Sequence, residues 1–281
     1  MAPQQSMFKS ETARQRMLAI YDQVLSRWPA GHETRMITTR FGATHVIVCG
    51  NRSNPPLVLL HGSGSNSTIC WTGYVSNYCT RRCVYAVDIP GEPGRSEERR
   101  FPWNDGSFTL WLDDLFNGLH IEKAMVSGMS LGAWASVRYA IDRPDRVEKI
   151  ALISPGGITH GRLSFVLHLI VNKLLGTYGH KRMMRLLLNS DGTISGEFDE
   201  TMKLISTNFR YRMGEPPLFT DKELRSITMP LLFVAGDKDC FFHTNRSAQR
   251  LQRLVPHAMI HIIKNGGHPP LNTAPVIVPF M

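Results

Sequence analysis

A serine held between two glycines, Gly128-Met129-Ser130-Leu131-Gly132, is the most chemically suggestive pattern in this 281-residue sequence. Composition alone would produce G-x-S-x-G roughly 0.1 times in a chain of this length. An apolar run, Ala124 to Val126, precedes it and a helix-forming run follows. A strand-turn-helix corner of that kind holds a serine hydroxyl exposed on a strained turn. A serine hydroxyl is a weak nucleophile, so it needs a base, and the base needs an orienting group. The candidate base is His268, in Asn265-Gly266-Gly267-His268, just after the strand-like run His257 to Ile263. None of the other ten histidines has this placement. His61 is the nearest rival, but its glycine-rich loop suggests a ring that hydrogen-bonds the loop itself. The orienting carboxylate belongs after the run Leu231 to Val234, where Asp237 and Asp239 compete. An aspartate in such a loop is often only a turn former. Acyl transfer also needs backbone N–H groups aimed at a developing oxyanion. The N–H of Leu131 is one candidate, and Ser63 in His61-Gly62-Ser63-Gly64 supplies the other, unless that loop is a simple glycine turn.

The elements that must carry these residues read as an alternation. Short apolar runs at 57–60, 84–87, 124–126, 150–153 and 231–234 are bounded by turn residues. Such runs suit strands buried on both faces. Helical patterns at 108–119, 131–141 and 244–254 alternate with them, which predicts an α/β fold with a mostly parallel sheet flanked by helices. An amphipathic helix is expected over 11–28, and an antiparallel entry hairpin over 35–39 and 44–49. Residues 158–229 break the alternation with long helical patterns, 163–175 and 181–188, and no convincing central strand. That is too long for a plain loop in a compact domain and reads as a helical insertion. The expected division is a core of 1–157 and 230–281 with a helical cap, 158–229. Within the cap, Leu163, Phe165, Val166, Leu169 and Ile170 form an apolar stripe. Such a stripe either lines a substrate pocket or packs the cap onto the core.

Composition narrows the function classes. The net charge is +9, but the basic residues are dispersed, as at Arg81-Arg82, Arg99-Arg100 and Lys181-Arg182, so a solvated basic surface is expected rather than a nucleic-acid partner. No apolar run approaches the length of a membrane span. The first twenty residues lack the apolar core of a secretory signal, which leads to the expectation of a cytoplasmic protein. Five cysteines, an odd number, point to free thiols rather than a disulfide framework. Cys79 and Cys83 have no second Cys/His pair at zinc spacing, so no metal site is expected.

Five motifs in order resemble the α/β-hydrolase superfamily, in particular its carboxylesterase-like members with a helical cap. They are His61 to Gly64, Asp88-Ile89-Pro90-Gly91 with Gly94 and Ser96, Gly128 to Gly132, Gly236 to Asp239, and Gly267-His268. The resemblance covers roughly residues 32 to 275. It implies the α/β-hydrolase fold and a triad Ser130, Asp239, His268, because in the family the acid commonly sits three residues after the glycine of the fourth motif. It implies hydrolysis of a small-molecule ester, with small to medium apolar substrates, through an acyl-enzyme and without metal or organic cofactor. The same triad also serves thioesterases, lactonases, C–C bond hydrolases and cofactor-free haloperoxidases, and the fold also occurs as a non-catalytic ligand receptor. Two departures stand out. Many relatives carry a Glu where this chain has Thr273, and the segment after His268 contains Pro275 and Pro279, so a regular final helix is not expected there. Oligomeric state is not legible.

Overall fold

The computed structural model describes residues 6–29, 31–189 and 196–281. In chain order its elements begin α1 (Glu11–Leu25), β1 (Glu33–Thr39), β2 (Gly42–Cys49), β3 (Pro56–Leu60), α2 (Ser67–Trp71), α3 (Val75–Cys79), β4 (Cys83–Val87) and α4 (Ser107–Gly118). They continue with β5 (Ala124–Met129), α5 (Leu131–Asp142), β6 (Val147–Ile153), α6 (Leu163–Leu174), α7 (Gly176–Leu188) and α8 (Gly196–Asn208). The last are α9 (Asp221–Arg225), β7 (Leu231–Gly236), α10 (Thr244–Leu254), β8 (Met259–Ile263) and α11 (Ala274–Phe280). The chain divides into two compact units, Met1–Glu122 with Ile194–Gly214, and Lys123–Thr193 with Glu215–Met281. Residues 158–229 therefore contribute to both units, α8 to the first and α6, α7 and α9 to the second.

In the first unit the strand order is β1-β2-β4-β3. β1 and β2 form the antiparallel entry hairpin, β2 pairs antiparallel with β4, and β3 pairs parallel with β4. Leu57 to Leu60, Val46 to Val48, Val84 and Val87 are buried, as continuous apolar runs covered on both faces require. α1 starts at Ser10, whose side chain caps it by accepting the Ala13 N–H. Its apolar stripe then meets α8: Phe8, Met17, Ile205 and Phe209 form one buried cluster. Backbone bonds Lys9 N–H to Asn208 O and Arg210 N–H to Met7 O, both 2.8 Å, flank that cluster.

The Asp88 motif is structural. Asp88 accepts N–H bonds from Ser67 and Arg95 and faces the His45 ring. Burial pushes its pKa up, but the hydrogen bond and charge of His45, with the Arg95 N–H, oppose this and it is held at about 2. A Cβ at Gly94 would lie 2.6 Å from the Asp88 carboxyl carbon, which explains the glycine there. The Ser96 hydroxyl donates to Asp88 O at 2.6 Å.

In the second unit β5, β6, β7 and β8 follow one another in order, every pairing parallel. α5 packs against β5 and β6, and α10 against β7 and β8. β5 and β7 are buried along their length and β6 everywhere but Glu148 and Lys149, whereas the edge strand β8 leaves Met259 and Ile262 exposed. The C-terminal segment is helical, contrary to the expectation drawn from its prolines. Pro275 lies in the first turn of α11, where a missing N–H costs nothing. Pro279 lies near the end of the helix and removes a single donor. Thr273 O accepts from Val276 and Ile277, Ile277 is buried, and Lys149 Nζ donates to the carbonyls of Phe280 and Met281.

Candidate active site

Ser130 occupies the corner between β5 and α5 with φ 51° and ψ −105°. A positive φ is strained for a residue with a Cβ. The corner is held by Ser130 N–H to Ile153 O at 2.9 Å and by Trp134 N–H to Ser130 O at 3.0 Å. A Cβ on Gly128 would lie 2.2 Å from Gly132 O, so the turn closes only with glycine at that position. Leu131, the first residue of α5, has an N–H with no acceptor among the described residues. That donor and the positive end of α5 favour negative charge beside Ser130.

The turns after β7 and β8 interlock. Asp237 N–H donates to Ile263 O at 3.1 Å, and Lys238 N–H to Gly266 O at 2.9 Å. A Cβ on Gly236 would stand 2.0 Å from Gly266 O, and one on Gly267 would stand 2.1 Å from Leu187 O. These close approaches bring Asp239 against His268. His268 Nδ1 lies 2.8 Å from Asp239 Oδ2, and His268 Nε2 lies 3.1 Å from Ser130 Oγ. A carboxylate only accepts, so Nδ1 carries the proton and Nε2 receives the Ser130 hydroxyl. His268 is 7% exposed and its N–H is anchored on Leu187 O at 2.6 Å. Asp239 Oδ1 accepts the N–H groups of Phe241 at 2.8 Å and Phe242 at 2.9 Å. Burial pushes the Asp239 pKa up, but His268 and these two N–H groups outweigh it, so the carboxyl is held below its ordinary range. Asp237 makes no bond to His268, and its buried Oδ1 has no partner among the described residues. Ser130, Asp239 and His268 thus lie in one hydrogen-bonded line, which can pass a proton from the serine to the imidazole and stabilise the resulting imidazolium.

Within the first unit, His61 to Gly64 follows β3. His61 is buried, accepts the Ile89 N–H on Nε2 at 2.9 Å and turns Nδ1 to Gly62 O at 2.8 Å. Burial lowers its pKa, and the Asp88 charge and Gly62 O offset this only in part. It is therefore a neutral ring that braces the loop. The Gly64 N–H donates to Glu92 Oε2 at 2.7 Å, and the Ser63 hydroxyl donates to the same oxygen at 3.3 Å. The Ser63 N–H has no acceptor among the described residues, as an oxyanion donor would require. Glu92 is buried, and burial raises its pKa despite the Gly64 N–H and the charges of Arg100 and Arg212. Its burial is hard to read from sequence, since charged side chains are almost never fully buried. The only signal is an acid inside the turn Gly91-Glu92-Pro93-Gly94.

The apolar stripe divides. The Phe165 ring packs 3.7 Å from that of Phe241, which in turn lies 4.4 Å from the His268 ring. Leu163 is 89% exposed and lies on an open groove of about 820 Å³. Arg162, His243 and Arg246 also line that groove, and Ser130 does not. The side chains of Val166, Leu169 and Ile170 lie outside the described residues. Phe241 and Phe242, which flank the imidazole, were not singled out in the sequence; their signal is aromatic residues directly after the candidate acid. No group of three or more metal-ligating side chains occurs among the described residues, and no helix there is long and apolar enough to cross a membrane.

A model of the alpha/beta hydrolase family matches residues 57–278. Carboxylesterase YbfK of Bacillus subtilis is 31% identical over 90% of this chain and 87% of that protein. The crystal structure of that enzyme, also called CesB, superposes with a TM-score of 0.83, covering 95% of each chain at 28% identity. The crystal structure of naproxen esterase (carboxylesterase NP) from Bacillus subtilis gives a TM-score of 0.84 at 28% identity, covering 92% of this chain and 93% of that one. With the matched strands, nucleophile corner and histidine turn all inside 57–278, the chain belongs to the alpha/beta hydrolase family.

Proposed function

We propose that this protein hydrolyses carboxylic esters by a two-step acyl transfer at Ser130. His268 Nε2 takes the serine proton as Oγ attacks the ester carbonyl carbon. The carbonyl oxygen gains the displaced electron pair and is held by the N–H groups of Leu131 and Ser63. As the C–O bond to the alcohol breaks, His268 returns its proton to that alcohol. The acyl group remains on Ser130. A water molecule then gives its proton to His268, attacks the acyl carbon and releases the carboxylic acid, while the proton returns to Ser130. Asp239 keeps the imidazole in the required tautomer throughout. The observation that carries this reading is the unbroken line from Ser130 Oγ through His268 to Asp239, with the serine strained on a corner. The carboxylesterase names of the relatives favour an ester over the other bonds this triad cleaves. Residues 158–229 supply the cap that shapes the acyl site. Phe165 against Phe241, beside the histidine, supports an apolar wall and a small to medium apolar substrate.

Labelling with a fluorophosphonate, followed by peptide mapping, tests the nucleophile. Modification confined to Ser130 is expected, and Ser130→Ala should abolish both labelling and hydrolysis of p-nitrophenyl esters. A label at any other residue sinks the mechanism. A panel of matched esters, thioesters and lactones tests the bond: the highest kcat/KM on a thioester or lactone would overturn the ester assignment while leaving the triad intact.

A further inference from the structure

Cys49 is the last residue of β2 and Cys79 the last of α3, both within the first unit. Their Sγ atoms stand 2.6 Å apart, and both are free thiols. A disulfide bond measures about 2.05 Å, so bonding would need sulfur movements well under an ångström. The backbone sets up this approach. Gly50 has φ +89°, and a Cβ there would lie 2.5 Å from Arg82 O and 3.3 Å from Cys79 O. The glycine lets the end of α3 and its following turn rest directly on the end of β2.

The cysteines of this region are not equivalent. Cys49 is 1% exposed, while Cys79 is only half-buried and can meet a solute. Cys83 is buried, and its Sγ faces the Arg52 guanidinium at 3.8 Å. The hydrogen bond between the paired thiols lowers the pKa of Cys79. The same bond, with burial, raises that of Cys49. The shared proton therefore rests on the buried sulfur, and the accessible sulfur has the thiolate character that reaction requires. Burial pushes Cys70 and Cys240 up to about 12, so neither competes as a nucleophile near neutral pH.

We propose that Cys49 and Cys79 form a reversible dithiol–disulfide modification site, with Cys79 attacking and Cys49 resolving, and a small disulfide of the glutathione class as the oxidant. The Cys79 thiolate attacks one sulfur of glutathione disulfide. That S–S bond breaks, and one glutathione leaves with the electron pair and takes up a proton. Cys49 then gives up its proton and attacks Sγ of Cys79, expelling the second glutathione. The two cysteines lose two electrons and two protons in total, and glutathione disulfide gains both as two thiols. The bridge would tie β2 to α3 and constrain the unfolded chain between them. This inference is independent of the hydrolytic mechanism proposed above.

The full chain, folded and reduced, is incubated with glutathione disulfide, its intact mass is recorded, and it is digested with trypsin without reductant. The expected mass change is the loss of two hydrogen atoms, with peptide 41–52 joined to peptide 53–81. Cys70→Ala separates Cys70 from Cys79 in the second peptide and should keep the link. Cys79→Ser should give neither adduct nor bridge, while Cys49→Ser should trap one glutathione on Cys79. A link through Cys70 or Cys83, a trapped adduct in Cys79→Ser, or five free thiols in the treated wild type would each overturn the proposal.

Discussion

Replacing Asp239 with asparagine should disable the site through a proton in the wrong place. The two carboxylate oxygens of Asp239 have separate duties. Oδ1 accepts the N–H groups of Phe241 and Phe242, and Oδ2 accepts His268 Nδ1–H. In the asparagine variant the amide oxygen must take the Oδ1 position. The opposite orientation would set an NH₂ group against two part-buried N–H donors. Leaving those donors unsatisfied costs about 1–3 kcal/mol each, so the flip is disfavoured by roughly 2–6 kcal/mol in total. The amide nitrogen therefore faces His268 Nδ1 and donates to it. The imidazole proton moves to Nε2, which then presents a donor to Ser130 Oγ and cannot accept its proton. At about 1.36 kcal/mol per tenfold change in rate, a central penalty near 4 kcal/mol lowers kcat roughly a thousandfold. Loss of the carboxylate charge that stabilises the imidazolium lowers it further. The assay is steady-state hydrolysis of p-nitrophenyl acetate by Asp239→Asn and Asp237→Asn, with kcat and KM measured separately. Asp239→Asn should lose kcat with KM little changed. Asp237→Asn should stay within roughly threefold of wild type, as expected for a side chain outside the proton path. More than a tenth of wild-type kcat in Asp239→Asn, or a matching loss in Asp237→Asn, would refute the reasoning.

Glu92 separates stability from activity. Its folded pKa is raised by burial, so the folded chain holds this proton more tightly than the unfolded chain does. Ionisation above the unfolded value of about 4.3 then opposes folding. Glu92→Gln should raise the melting temperature at pH 8, with the gain shrinking as the pH falls towards 4; a gain that does not vary with pH would contradict this assignment. Glu92→Ala should lower kcat roughly 10- to 100-fold, since a hydrogen bond to a charged group is worth about 1.5–3 kcal/mol and here anchors the Gly64 N–H. The glutamine variant should retain most activity through its amide oxygen, and equal losses in both variants would argue against an anchoring role. Gly128→Ala should distort the nucleophile corner, because its new Cβ meets backbone at 2.2 Å and overpacking of this kind costs about 1–3 kcal/mol or more. The rate of fluorophosphonate labelling should fall at least about fivefold on that scale, and an unchanged rate would show that the corner does not depend on this glycine.

The site was more legible than its support because its signals are local. Ser130 announces itself through Gly128 and Gly132, which the corner needs for closure. Leu57 to Leu60 and Leu231 to Val234 read as strands because burial on both faces leaves no polar position in either run. Choosing Asp239 over Asp237 needed the family's spacing. The structural distinction is the side chain that meets Phe241 N, Phe242 N and His268 together, and no single-residue preference encodes that. Proline misled at the C-terminus, since Pro275 breaks a helix only when it falls in the interior and here it opens one. The association of α8 with α1 was equally hidden. Phe8 and Met17 meet Ile205 and Phe209 from far apart in the sequence, and hydrophobic periodicity reveals which face is buried but not against what.

Gly236 and Gly267 join these two levels. In sequence they are turn residues beside a candidate acid and a candidate base. In the structure Gly236 is the point where the β7 turn meets the β8 turn, and Gly267 the point where the histidine turn meets the end of α7. The order of Ser130, Asp239 and His268 along the chain is therefore only part of what makes a proton path. The rest is the absence of two Cβ atoms, which lets the strand ends approach until Asp239 Oδ2 and His268 Nδ1 are 2.8 Å apart.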